Sequence, residues 1–459
     1  MTDRLAPKVW RTVAVAFLGP FMTQMDSTVV NVSLSTIRDE LHSTIAGAQW
    51  VISGYLLALT LALPLNGWLV DRIGAKRLYM ICFSAFTLAS ALCGLASSIE
   101  LLVAARVLQG IAGGLLAPMP QMMIARVAGK HMARVMGYTT IPVLVAPMVG
   151  PVVAGAILRY AGWPWLFFVN LPVGAIALVL ALVLLPPDEA TPLKRTFDAL
   201  GFALISPGLA CLLYGFEQAT HVRGIACAAL GAGLLGAFVV HARRKQAAAL
   251  IDLAIFRVRG FAIGACTQFL SNGVSYAGQL LVPLYLINSA HLTPASAGWM
   301  IAPLGVGMLC TYPCMGWLTE RFGFRAVATT GVTVALAGTL PLLWMACTSY
   351  SRPLALACMF VRGVGQGASG IPATSAAYSS VPKPRLPVAT TALNIVQRLG
   401  GPVATTAIAI VLAATVTADG AGYAAAFVTL IGVQALLLAS ASRLPARVEA
   451  VTGTRPATP

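Results

Sequence analysis

A ten-residue pattern occurs twice in this chain, as GWLVDRIGAK at residues 67–76 and as GWLTERFGFR at residues 316–325, each after a long apolar run. Gly67, Asp71, Arg72, Gly74 and Lys76 of the first copy align with Gly316, Glu320, Arg321, Gly323 and Arg325 of the second. A charged loop duplicated between apolar helices means two homologous bundles, so the chain is expected to fold as a repeat rather than around one core.

Composition sets what surrounds those bundles. Of the 459 residues 58% are hydrophobic and only 10% are charged, and the mean hydropathy is +0.84. A soluble core cannot hide that much apolar surface, which leaves a lipid bilayer as the solvent. A net charge of +16 would suggest nucleic acid in a soluble protein. Here the basic residues sit between apolar segments, mostly between alternate ones, so no nucleic-acid partner is expected. The first apolar run, from about Val13 to Ile37, is too long for a secretory signal and lacks a small-residue cleavage pattern, so it reads as a retained first helix. The nine cysteines lie in apolar runs without metal-ligand spacing, and no metal or cofactor is implied.

Reading runs of about 20 apolar residues as spanning helices places centres near Phe21, Leu57, Phe86, Ala112, Val145, Ala175, Ser206, Gly231, Asn272, Gly305, Ala335, Phe360, Val403 and Leu430. With the amino terminus inside, that count collects Arg72, Lys76, Arg126, Arg134, Lys194, Arg243, Arg257, Arg321, Arg325, Lys383 and Arg443 on one face. The other face receives little more than Arg38, Arg159, Arg223 and Arg352. Basic loops stay in the cytoplasm, so the partition supports an even count with both termini cytoplasmic. Both copies of the charged loop must also share a side, so only an even number of helices can separate the halves. The expected organisation is an all-α membrane protein with a six-helix bundle at 1–186, a linker and inserted helix pair at 187–248, a second six-helix bundle at 249–445 and a disordered tail at 446–459.

Other segments carry a family resemblance that covers nearly the whole chain. Residues 25–32, MDSTVVNV, resemble the first-helix signature of the fourteen-helix drug:proton antiporters of the EmrB/QacA type, within the major facilitator superfamily. Residues 102–110, LVAARVLQG, look like their fourth-helix arginine motif, and the run from Ala146 through Gly150 and Pro151 to Gly155 is similar to their antiporter motif. Residues 163–172, WPWLFFVNLP, and 251–257, IDLAIFR, match further stretches. The chain departs at Ser35, Pro164 and Ala154, where a proline, an arginine and a glycine are usual, and residues 298–316 lack an acid that some relatives carry. The resemblance implies a major facilitator fold and efflux of small organic compounds in exchange for protons in the inner membrane. It also implies a cytoplasmic latch on neighbouring helix ends, made by Asp71, Arg72, Glu320 and Arg321.

Asp26 is the carboxylate that lies well inside a predicted helix, where an ionised group is costly and usually functional. It shares one half of that helix with Thr23, Gln24, Ser27 and Asn31. It suits either a proton site or a permanent ion pair. Arg106 is the matching intramembrane cation and either gates that proton or neutralises the acid. Gln109 projects from nearly the same face as Arg106. In the second bundle Gln268, Ser271, Asn272, Ser275, Tyr276 and Gln279 fall on one helix face, and Thr391, Asn394, Arg398, Gly401 and Thr405 on another. Such stripes suit a wet substrate cavity, with interhelical hydrogen bonding as the alternative. Thr23, Asn31 and Gln109 are expected to complete the cavity. Glu217 is a weaker proton candidate.

Other functions find less support. The five histidines lie near helix ends or loops without paired metal spacing, which disfavours an intramembrane enzyme. No GxxxxGK[ST] loop is present for ATP-driven transport. A dedicated exporter or proton symporter of one metabolite, and a transport-inactive sensor, stay open. No sequence feature identifies the substrate or a periplasmic adaptor.

Overall fold

The computed structural model describes residues 6–188, 196–218, 221–415 and 421–446. Among them the regular structure is helical. The first helices are α1 (Pro7–Ala16), α2 (Leu18–Glu40), α3 (Ile45–Ala62), α4 (Asn66–Ile73), α5 (Ala75–Gly94), α6 (Ile99–Leu116), α7 (Met119–Ala128), α8 (Met132–Tyr160), α9 (Trp165–Phe168) and α10 (Asn170–Leu184). The pair α11 (Ala199–Glu217) and α12 (Val222–Lys245) follows. Then come α13 (Arg259–Asn288), α14 (Pro294–Thr311), α15 (Met315–Cys347), α16 (Arg352–Ser379), α17 (Leu386–Thr415) and α18 (Ala421–Ala441). The expected tail, from 447 onward, lies outside the described residues.

Eleven stretches among the described residues are long and apolar enough to cross a membrane, or twelve when the two arms of α8, bent by 41°, count as one span. One of these stretches, Ala295–Cys347, has 53 residues and is broken at Gly323, whose φ of 81° and ψ of 166° are not helical. The helix α13 has 30 residues, more than the roughly 20 a span needs. It is absent from the eleven because Gln268, Asn272 and Gln279 dilute its apolarity. The 53-residue stretch is itself long enough to hold two spans, one on either side of Gly323.

Polar caps mark where several helices begin. Thr44 accepts from the Gly47 amide at 3.0 Å, Ser98 from Leu101 at 3.3 Å and Asp198 from Gly201 at 3.1 Å, each satisfying a donor that an α-helix leaves unpaired. The outer faces are apolar. Ile176, Val179 and Val183 of α10 and Ile225, Leu230 and Val240 of α12 are exposed, which is stable only against lipid tails.

The chain divides into two compact units. One comprises 1–128, 138–253 and 390–395, the other 129–137, 254–389 and 396–459. The inserted pair belongs to the first. The end of the pair at which α11 starts and α12 stops is closed by Asp198, which is buried and accepts from Lys245 Nζ at 2.8 Å and the Leu250 amide at 3.0 Å, with His241 Nε2 at 2.9 Å. Burial opposes ionisation of this carboxyl, but those partners outweigh it and hold Asp198 down at about 2.

The two copies of the charged loop share a backbone. Gly74 has φ 91° and ψ 158°, close to Gly323, and this left-handed region is open to glycine at little cost. Two residues on, Lys76 Nζ donates to the carbonyls of Leu182 at 3.0 Å and Leu185 at 2.7 Å. Arg325 Nε donates to the Leu444 carbonyl at 2.7 Å. Asp188 accepts from the Lys76 and Arg77 amides at 2.9 and 3.1 Å, and the Phe324 amide donates to Ala446 at 3.0 Å. Each loop is thereby tied to the carboxyl end of the helix that closes its half, α10 or α18.

Candidate functional site

Five helices of the first unit bring one polar cluster together in an apolar surround. Asp26 of α2 is 1% exposed, and its Oδ2 accepts from Arg106 Nη1 of α6 at 2.6 Å. Its Oδ1 accepts from Gln109 Nε2 at 3.0 Å and from Asn170 Nδ2 of α10 at 2.8 Å. Ser90 of α5 accepts from Gln109 at 2.7 Å and from Asn170 at 3.1 Å. Arg106 also donates through Nε to the Val51 carbonyl of α3 at 3.1 Å and through Nη1 to Gln109 Oε1 at 2.6 Å. Its guanidinium lies 4.2 Å from the centre of the Tyr55 ring, a cation–π contact.

Helical spacing accounts for the arrangement. Arg106 and Gln109 are three residues apart on α6 and so point the same way, one toward each oxygen of Asp26. Val29, Val30, Val51, Leu102 and Phe167 belong to one buried apolar cluster, which meets Arg106 through the Val51 carbonyl and the Phe167 ring. Both oxygens of Asp26 accept hydrogen bonds within this one network, and Arg106 is its ionic partner.

The other residues singled out from the sequence fall in several places. Thr23 is half-buried and donates back to the Gly19 and Pro20 carbonyls at 3.1 Å, whereas Asn31 is exposed. Gln109, expected on a cavity wall, is instead fully buried inside the ion-pair network. On α8 the two rows of the antiporter motif separate cleanly. Ala146, Gly150 and Ala154 are buried, with Gly150 set against Thr28, while Pro147, Pro151 and Gly155 are exposed. Gly67 and Gly316 are buried, Asp71 is half-buried, and Arg72 and Arg321 are exposed over Trp68 and Trp317, at 5.2 and 5.6 Å. Glu320 lies 2.7 Å from His131 Nδ1.

In the second unit Gln268 donates to Gln397 at 3.4 Å, and Tyr276, 53% exposed, packs against Gly401. The α13 stripe and part of the α17 face are thus brought together. Asn272 donates to the Gln268 carbonyl at 3.3 Å, Gln279 is exposed and Arg398 is half-buried. Asn394 is buried and donates to the Thr390 carbonyl at 2.9 Å; it groups with the first unit. The side chain of Glu217 lies outside the described residues.

Three residues were not singled out for a role. Ser90 gives no signal, since single hydroxyls are common in membrane helices. Asn170 lies within the WPWLFFVNLP stretch, which marks it only by resemblance. Arg362, an arginine inside the apolar run centred near Phe360, is itself a signal. Among the described residues no group of His, Cys, Asp and Glu could hold a metal ion.

Helices of membrane length, a duplicated loop and a buried ion pair joining α2 to α6 describe a polytopic membrane protein. The Major Facilitator Superfamily model matches residues 16–405 and 261–458, and the chain belongs to that family. A multidrug resistance protein B homolog of Mycobacterium tuberculosis is 35% identical over 404 residues, 86% of this chain and 74% of that protein. The putative multidrug resistance protein MdtD of Klebsiella pneumoniae is 32% identical over 375 residues, 79% of this chain and 78% of that protein. Among solved structures, a double-tryptophan mutant of XylE superposes with a TM-score of 0.68 at 14% identity, covering 96% of this chain and 97% of that one. The human organic anion transporter MFSD10 gives 0.65 at 15% identity, over 95% and 100%. At those identities the two structures speak for the fold alone.

Proposed function

We propose that this protein is a secondary exporter of small organic compounds, of the fourteen-helix drug:proton antiporter type. It would work by alternating access in the inner membrane, with both termini cytoplasmic and bundles at 1–186 and 249–445 flanking the pair at 187–248. The relatives named as multidrug resistance proteins support multidrug-type efflux, and the buried Asp26 with its cationic partner Arg106 carries the proposal of proton coupling. A proton arriving from outside binds Asp26 and cancels its charge. Arg106 then loses its ionic partner, and the helices it joins to α2 are freed to shift. Release of that proton to the cytoplasm restores the pair. One proton crossing about 100 mV supplies about 2.3 kcal/mol before any pH gradient is added, enough to drive a substrate outward against roughly a fortyfold gradient.

The experiment is a panel of toxicity and accumulation assays in a pump-deficient host. Expression of the wild type lowers accumulation of several unrelated organic compounds, and a protonophore restores it. Lowered accumulation that survives the protonophore would remove proton coupling. Protection against one compound only would favour a dedicated exporter.

A further inference from the structure

The second unit holds a buried cation that has no counter-ion among the described residues. Arg362 of α16 is 1% exposed, its Nε has no hydrogen-bond partner, and Nη2 reaches only the Val274 carbonyl at 3.5 Å. Between residues 254 and 446 the sequence has two carboxylates, Glu320 and Asp419. Glu320 is exposed in the charged loop beside His131, and Asp419 falls between α17 and α18, outside the described residues. Among the described residues no ion pair involves Arg362.

Arg106 of the first unit makes the contrast plain. Both arginines lie on the fourth long helix of their halves, and each is followed within one turn by a glutamine, Gln109 or Gln366. Arg106 is neutralised by Asp26, whereas Gly278 of α13 stands against the Arg362 guanidinium, where any side chain would collide with it. Arg362 borders a cavity of about 180 Å³, lined also by Ser275, Gln279, Leu304, Met359 and Gln366. A guanidinium keeps its charge, and a buried charge without a counter-ion is costly, so the site favours an anion.

Size and geometry narrow the class. Pockets for whole drug-sized molecules run to about 300–1,000 Å³, so this cavity suits one acidic group and the small ring or chain attached to it. With its Nε unpartnered, the guanidinium retains donor capacity that a carboxylate would satisfy. Ser275 and Gln279 add neutral hydrogen-bonding groups to the lining, and both belong to the polar stripe of α13. We propose that Arg362 and this cavity form a subsite for the carboxylate of a transported organic acid, so that the substrates include small organic anions. The proposal rests on the export reading.

Binding of radiolabelled benzoate to the purified full-length protein, in a sulfate buffer of fixed ionic strength, tests it. Wild type binds benzoate, and benzyl alcohol, the uncharged analogue, does not compete. Arg362→Met binds at least about tenfold more weakly, as expected for loss of a charge-assisted pair. Ser275→Leu keeps the charge but fills the cavity and loses binding likewise, which covers the case of an Arg362 variant that fails to fold. Wild-type affinity in either folded variant overturns the proposal. So does displacement by chloride as effective as by benzoate itself, since the counter-ion would then be an inorganic halide. Binding is read at equilibrium without a gradient, so it is independent of coupling. If efflux of neutral compounds persists while benzoate fails to bind, the anion subsite alone falls.

Discussion

Lys76 and Arg325 hold equivalent places in the two halves: each lies two residues after a glycine of positive φ and donates to carbonyls at the carboxyl end of a helix, α10 or α18. A helix end carries partial negative charge on unpaired carbonyls, so a cation there satisfies both hydrogen bonding and the dipole. The repeat visible as GWLVDRIGAK and GWLTERFGFR thus encodes a tie within each half.

Lys76→Ala is expected to lower stability by about 1 kcal/mol and Lys76→Arg to retain most of it. Gly74→Ala is expected to cost more, because a side chain at this positive-φ, extended-ψ backbone adds about 1–3 kcal/mol of strain and drives a Cβ into Asp188. Thermal unfolding of the purified variants checks the order. Equal loss in Lys76→Ala and Gly74→Ala would contradict it.

The positive-inside partition predicts that reporter fusions after Lys76, after Lys245 and after Arg325 all read cytoplasmic. A periplasmic reading at Lys245 alone would mean that α11 and α12 do not both cross the membrane.

Asp198 gives a pH signature to the inserted pair. Its folded value of about 2 lies below the unfolded value near 4, so its contribution is complete above about pH 4 and is lost as pH falls through about 2. The stability difference between wild type and Asp198→Asn should be constant from pH 7 to about pH 5 and shrink below about pH 4. A difference that grows on acidification would reverse the assigned sign.

The membrane class and the duplicated loop were legible because lipid imposes long apolar runs and charged connections between them. Asp26 and Arg106 stood out for the same reason, as charges where charges are costly. What could not be read was partnership across helices. Gln109 looked like a cavity residue because α6 periodicity fixes its direction but not what faces it, and the facing groups are Asp26, 83 residues away, and Ser90. Lys76 likewise meets Leu185, 109 residues on, through a loop whose spacing says nothing of that contact.

Cysteine labelling separates the positions of the α13 stripe. After replacement of the exposed native cysteines, Cys266, Cys310, Cys314 and Cys347, a cysteine in place of exposed Gln279 should react with a membrane-impermeant thiol reagent faster than one in place of half-buried Asn272. Transported compound should slow both. Inertness at both positions in an active protein would make the stripe a packed interface.

Asp26→Asn tests proton coupling most directly. The amide keeps the shape but cannot exchange a proton, and its NH₂ must face donors on one side, Arg106 or Gln109 with Asn170. Leaving Arg106 without its ionic partner is expected to lower stability by up to about 3–5 kcal/mol, so folding is verified first. In reconstituted vesicles with an acidic lumen, wild type should accumulate substrate while alkalinising the lumen in step with transport. The Asp26→Asn protein should retain only downhill exchange with no proton movement. Uphill accumulation by folded Asp26→Asn, coupled to proton flux as in wild type, would contradict the account and place the proton site elsewhere.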